Sequence, residues 1–491
     1  MGVSRPLNPL TRAQIPTLNG EQGVNKREPR ERARKPSTLA VRSFHGCSRS
    51  ECGARMVTNR FLKSVANPMK TCIRYHPYPL PFHHFLRNLP STQYTKLENG
   101  LTIVTEEREV NHASGTKART RPVLEDQMAS TGARFDCVTT RELVGYRVTC
   151  LLQHVPLCLD LLTDCVFNNN YSETDIEWEK KVVYLEMQEH DRDPNCLLDD
   201  YLHATAFQGT PLARTVMGPS CNLHNFSALT VSRYINKYFG ASRTVLAAIG
   251  GVKHEQIVAL ANTYMSKLEP NKCIDRDVYR FTGSEIRARD DSLPLAMVAL
   301  AVEGPALCDV DRLPMEVAAE IIGGWDKSHG GGIDHAFPVA RASSVAALSD
   351  AYQSFYIAYK DTGLWGVKFM GHSLVLDDML GMVQEEFMNL CNTVTEGEVE
   401  RAKRVLKTKL VSEDVDSARM CSEAGRWALF YGHRASLAAR IASVESVFAP
   451  DVRAVCQRYL YDRCPAVAAV GPTEVLSDYT RIRAGMYWLR I

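Results

Sequence analysis

Residues 245–251, VLAAIGG, are answered by residues 466–472, AVAAVGP, at an offset of 221. Each is a short apolar run closed by glycine or proline, which reads as a buried strand. A helical pattern precedes each run, and Val231 and Tyr238 in the first match Val452 and Tyr459 in the second at the same offset. Further upstream, apolar residues at 155, 158, 159, 161, 162 and 166 predict a helix over 155–167. Adding the offset gives Leu376, Met379, Leu380, Met382, Val383 and Phe387, all apolar. The body is therefore one unit of about 200 residues written twice. Each copy mixes short strands with packed helices, so the fold class is α+β, two tandem homologous α/β units.

The alternating segments 143–150 and 364–370 read as strands in the two copies. Periodicity is lost across EPNKCIDRDVYR, 269–280, which divides a first domain over 92–270 from a second over 281–491. The copies are unequal at their starts. LTIVTEE (101–107) answers EIRARDD (285–291) at an offset of only 184, so the second copy holds 37 residues that the first lacks. In the second copy that piece contains the predicted strand 295–302 and most of a predicted helix over 314–322; the first has only NHASGTKART (111–120) in its place. Losing a strand and a helix should open the core of the first unit.

The stretch 172–190, SETDIEWEKKVVYLEMQEH, opens on an N-cap serine and carries Ile176, Val183 and Met187 at helical spacing. Glu179 and Glu186 lie two turns apart on nearly one face. Such a pair is either a metal ligand with its supporting acid or a solvated edge. The answering helix, with Thr395 and Glu398 as a capping box, has Ala402 and Lys409 at these places. A pair kept in one copy only points towards a site, present or ancestral.

The net charge of +2 conceals an asymmetry: residues 1–91 hold 16 Lys and Arg against 4 Glu and no Asp, and the rest of the chain carries −10. A basic extension on a slightly acidic body reads as a targeting presequence rather than a nucleic-acid arm, and the cleaner candidate begins at Met56, MVTNRFLKSVANPMK. The true start is left open between Met1 and Met56. No apolar run of about 18 residues occurs, so membrane association is expected only through partners. The 15 cysteines form no paired CxxC pattern, and Cys158 and Cys165 sit on the apolar side of a helix, as small core residues do.

KLENGL (96–101), TTRELVGY (139–146), EMQE (186–189), YLHATAFQGTPLARTVMGP (201–219) and YKDTGLWG (359–366), with the paired runs above, resemble the pitrilysin-type (M16) metallopeptidase family. The resemblance is to the branch holding processing-peptidase β subunits and the first core subunits of respiratory complex III. It implies a zinc site built from an inverted His-x-x-Glu-His on a first-half helix and a downstream glutamate, leaving an open position for water. The downstream ligand would be Glu186 and its supporting carboxylate Glu179. No His-x-x-Glu-His occurs in the 491 residues; it would have stood in the missing piece. Only a rebuilt site using His112 or His190 could replace it, whereas His83 and His84 belong to the tail and Gly330, Gly331 and Gly332 to a loop with no catalytic role.

The expectation is thus a core-1 or processing-peptidase-β-like subunit without peptidase activity or a cofactor, in or beside complex III, in the mitochondrial matrix or on the matrix side of the inner membrane. Its partners would be an α-type core or processing-peptidase subunit and complex III subunits. The alternative is a zinc metalloendopeptidase that binds presequence peptides. Whether the missing piece reflects evolution or an incomplete gene, the sequence leaves open.

Overall fold

The computed structural model describes residues 93–97, 99, 101–106, 118–270, 279–329 and 331–487. The basic extension, Met56, His83, His84, His112 and Gly330 lie outside them.

The first half contains β1 (Gln93–Lys96), β2 (Thr102–Glu106), α1 (Arg121–Thr131), β3 (Arg134–Thr139), β4 (Val144–Thr149), α2 (Val155–Phe167), α3 (Glu173–His190), α4 (Pro194–Ala206), α5 (Ala228–Tyr238), β5 (Val245–Ile249) and α6 (His254–Met265). The second contains β6 (Glu285–Arg289), β7 (Ala296–Gly304), α7 (Arg312–Ile322), β8 (Gly324–Asp326), α8 (Pro338–Ala346), β9 (Ala351–Ala358) and β10 (Gly363–Gly371). It continues through α9 (Leu376–Asn392), α10 (Glu396–Val415), α11 (Ser417–Tyr431), α12 (Leu437–Glu445), α13 (Ala449–Tyr459), β11 (Ala466–Gly471) and α14 (Tyr479–Gly485). Both runs quoted at the outset are strands, β5 and β11, and the helix expected over 155–167 is α2.

The second half builds one six-stranded sheet in the order β6-β11-β7-β10-β9-β8, with β11 parallel to β6 and antiparallel to β7. Its central strand β7, AMVALAVEG, is apolar on both faces because both are covered. Val298, Leu300 and Val302 pack with Met315 of α7, Phe387 of α9 and Val452 of α13, all fully buried. Each such side chain contributes about 1.5–3 kcal/mol by burial. Trp365 on β10 is fully buried in the same core and donates its indole N–H to Met315 O at 3.0 Å.

The first half repeats this order with one position vacant. Its described strands form a three-stranded sheet, β1-β2-β5, and a separate hairpin, β3-β4. Matched through the repeat, β2 answers β6, β5 answers β11, β4 answers β10 and β3 answers β9. The place of β7, between β5 and β4, has no strand among the described residues. The opened core follows: every residue of β11 is buried, whereas every residue of β5 and of β4 is only partly so.

The halves exchange cover. α4, from the first half, lays Leu198, Leu202 and Ala206 on the outer face of the second sheet, against Ala299, Ala301, Ala466 and Ala468. α11, from the second half, returns Ala424 and Ala428 to the first sheet, against Tyr94, Val245, Ala247 and Ile249. In each contact one surface is built of small residues, the sheet alanines under α4 and the helix alanines of α11.

Candidate functional site

α3 is capped as its sequence foretells: Ser172 Oγ accepts the N–H of Asp175 at 3.2 Å. Its apolar stripe is another matter. Ile176, Val183 and Met187 are half-buried, and no residue of α3 is fully buried. The cause lies in the missing partner. The equivalent helix α10, whose capping box is formed as expected, buries Val399, Ala402 and Leu406 against the layer that contains α7. Among the described residues the main element packed on α3 is the turn Ser220–Asn225.

Glu179 and Glu186 are half-buried on the same side of α3, as their spacing requires. His190, one turn on, is turned elsewhere: its Nε2 lies 3.6 Å from Asp200 Oδ2, and Asp200 receives Arg141 at 2.5 Å. Arg141 also donates to Leu212 O at 3.2 Å. His190, at the end of α3, therefore faces the Asp200–Arg141 ion pair, whose acid stands on α4. In the second half the position of Glu186 is taken by Lys409, whose Nζ meets Glu320 of α7 at 2.5 Å. An ion pair bridges helix to helix there, and the helix that would face Glu186 falls in the missing piece. Among the described residues no three His, Cys, Asp or Glu side chains converge as a metal site. Two carboxylates without an imidazole between them do not fit a catalytic zinc, which needs three protein ligands and an open position.

The vacant strand position is a cleft of about 830 Å³. Val144 and Val148 of β4 line one side and Leu246 and Ala248 of β5 the other. Cys158, Leu159 and Leu162 of α2 form its floor, and Cys421 and Gly425 of α11 its roof. Cys158 is buried and Cys165 half-buried, in keeping with the core role read from the sequence.

Three polar links between the halves were not legible in the sequence. The carboxylate of Glu142, at the β3–β4 turn, accepts the N–H of Lys360, at the β9–β10 turn. Burial pushes that carboxyl up to about 6. His203 on α4 is fully enclosed, with Nε2 2.5 Å from Tyr359 Oη and Nδ1 2.6 Å from Asp199 O. Burial, and then the Arg141 charge, hold its imidazole down at about 4, so it is neutral at pH 7. Lys368 on β10 pairs with Asp199 on α4. Gly331 and Gly332 adopt positive φ in a loop, and a Cβ on Gly332 would stand 2.5 Å from Ser344, so they are there for the turn.

Two tandem α/β units with exchanged helices, the first marked by a carboxylate pair on α3, define the class. The chain belongs to the M16 peptidase family: residues 110–220 match the insulinase (peptidase family M16) model and residues 225–406 the M16 inactive-domain model. It is 40% identical to the cytochrome b-c1 complex subunit 1 of Rattus norvegicus over 444 residues, covering 83% of this chain and 92% of that one. It is 36% identical to the mitochondrial-processing peptidase subunit beta of Homo sapiens over 438 residues, covering 82% and 89%. A chain of complex III2 from Candida albicans with Inz-5 bound has the same fold, with a TM-score of 0.71 at 24% identity over 81% of this chain and 100% of that one. The chain is thus a core-1 and processing-peptidase-β-like member of the family.

Proposed function

We propose that this chain is a mitochondrial, non-peptidase M16 subunit that serves as a core-type scaffold in respiratory complex III or a paralogous assembly. One observation carries the reading: the segment that would supply both imidazoles and the general base occurs nowhere in the sequence. Without it Glu186 has no co-ligands, no group remains to take a proton from a bound water, and zinc is not held. Glu186 and Glu179 are then remnants of a site. The 40% identity to a cytochrome b-c1 subunit, the fold shared with a complex III chain and the absence among described residues of any helix long and apolar enough to cross a membrane support a subunit attached through partners. An α-type core subunit is the partner we assign, and the matrix side of the inner membrane the location.

The test is zinc content by elemental analysis, with cleavage of a model presequence, for the purified chain alone and with an α-type partner. The expected result is neither zinc nor cleavage in either state. Stoichiometric zinc and cleavage lost in Glu186→Gln would establish the zinc endopeptidase instead and make His112 or another histidine a ligand.

A further inference from the structure

The vacant strand position has the chemistry of a binding site. Thr140 N–H donates to Leu143 O at 2.6 Å across the β3–β4 turn, which sets the alternation of the ladder. Gly145 and Arg147 then bond across to β3, and the N–H and C=O groups of Val144 and Val148 point into the cleft. In the second half the same turn bond, Tyr359 N–H to Thr362 O at 2.8 Å, aims Trp365, Val367 and Phe369 at β7, where they face Val302, Leu300 and Val298. The first half presents the same edge, and opposite it the edge of β5, with no strand between them among the described residues. Two facing ladder edges under an apolar lining are a template for one more strand.

The molecule itself shows what fits. In the equivalent slot sits β7, antiparallel to both neighbours and apolar on both faces. A Cβ on Gly366 would come within 2.1 Å of Leu300 O, so the strand beside it demands a glycine. The first half keeps the counterpart, Gly145, although among the described residues a Cβ there would meet nothing nearer than Val138 O at 3.9 Å. The chain's own residues 107–117, EREVNHASGTK, hold four charged side chains and a single branched apolar one, and do not suit the slot.

We propose that the cleft between β4 and β5 is a strand-acceptor site, filled in trans by an extended, uncharged segment of another protein that runs antiparallel to both walls. Its residues towards α11 are small, as Ala299 and Ala301 of β7 are on the face that α4 covers in the second half. Its residues towards α2 are larger and apolar, filling the space beside Leu159 and Leu162.

The probe is a fluorescent peptide with the apolar part of the β7 sequence, AMVALAV (residues 296–302), extended at its ends by lysines for solubility and titrated into the full chain with anisotropy as the readout. Saturable binding and a Tm raised by several degrees are expected, with a scrambled peptide binding at least tenfold more weakly. Gly145→Val is the decisive variant: its new side chain has open space in the free protein, so its Tm stays, whereas it blocks an incoming strand and should weaken binding at least tenfold. Absence of binding, or binding that Gly145→Val leaves unchanged, overturns the proposal. A dimer in light scattering that excludes the peptide would also overturn it, making a second copy the occupant.

Discussion

Glu142 holds the backbone N–H of Lys360 with both carboxylate oxygens, at 3.0 and 3.1 Å, so the turns of two equivalent hairpins meet through one acid. Each hairpin belongs to a different copy of the repeat, yet only one supplies the acid. The contact is an asymmetric weld between otherwise symmetric parts.

That weld should be visible in the pH dependence of stability. The Glu142 carboxyl is pushed up to about 6, chiefly by burial, so the folded state holds a proton that the unfolded chain has already released. Its contribution falls as pH rises from about 4.5 to about 6 and stays flat above, a loss of about 2 kcal/mol. Glu142→Gln should remove this slope from the variant's own profile, so that the difference between variant and parent urea midpoints changes across pH 4–7. A parallel offset at every pH would refute it.

His203 works in the opposite direction. Its imidazole is held down at about 4 by burial and by the Arg141 charge. Stability from the neutral ring is complete above about 6.5 and is lost as pH falls towards 4. His203→Leu should cost stability at neutral pH, since Tyr359 Oη and Asp199 O lose their partner, and should flatten the acid limb of the same profile.

Gly145 and Gly366 occupy matching positions in unmatched surroundings. A Cβ on Gly366 would collide with Leu300 O at 2.1 Å and Ala301 Cα at 2.7 Å. Gly366→Ala is therefore expected to destabilise by about 3 kcal/mol or more, and Gly145→Ala to stay within about 0.5 kcal/mol. Thermal unfolding of the two variants checks the contrast, and equal effects would mean that β4 already has a neighbour.

The exchanged helices make a positional prediction. Leu202 belongs to the first half by sequence and to the core of the second sheet by packing. Leu202→Ala should cost about 2–5 kcal/mol. Amide exchange should speed up in β7 and β11 rather than in β2 and β5.

The repeat was readable because burial on two faces leaves the same apolar signature in both copies: β5, β11, α2 and α9 stand where their periodicity puts them. The missing piece was readable as a change of offset, and the two-sheet first half is its physical result. The helical spacing of the α3 stripe was readable but its half-burial was not, because periodicity marks which side of a helix is apolar and not whether a packing partner is there. The spacing of Glu179 and Glu186 could place them on one side of a helix. It held no information on the Asp200–Arg141 chain that occupies His190, because those groups come from distant segments joined only by folding. The exchange of α4 and α11 was equally silent, since a small-residue face does not name the sheet it will meet.

The borrowed cover also has a timing. β5 ends at Ile249 and α11 begins at Ser417, so about 170 residues of chain must follow the first sheet into the compartment where it folds before that sheet receives its lid. During that interval the nascent first half shows bare ladder edges to the crowded compartment around it. A holdase acting on the arriving chain would find its longest window there, and an import intermediate stalled between residues 250 and 416 should be more sensitive to protease in its first half than one stalled after residue 431.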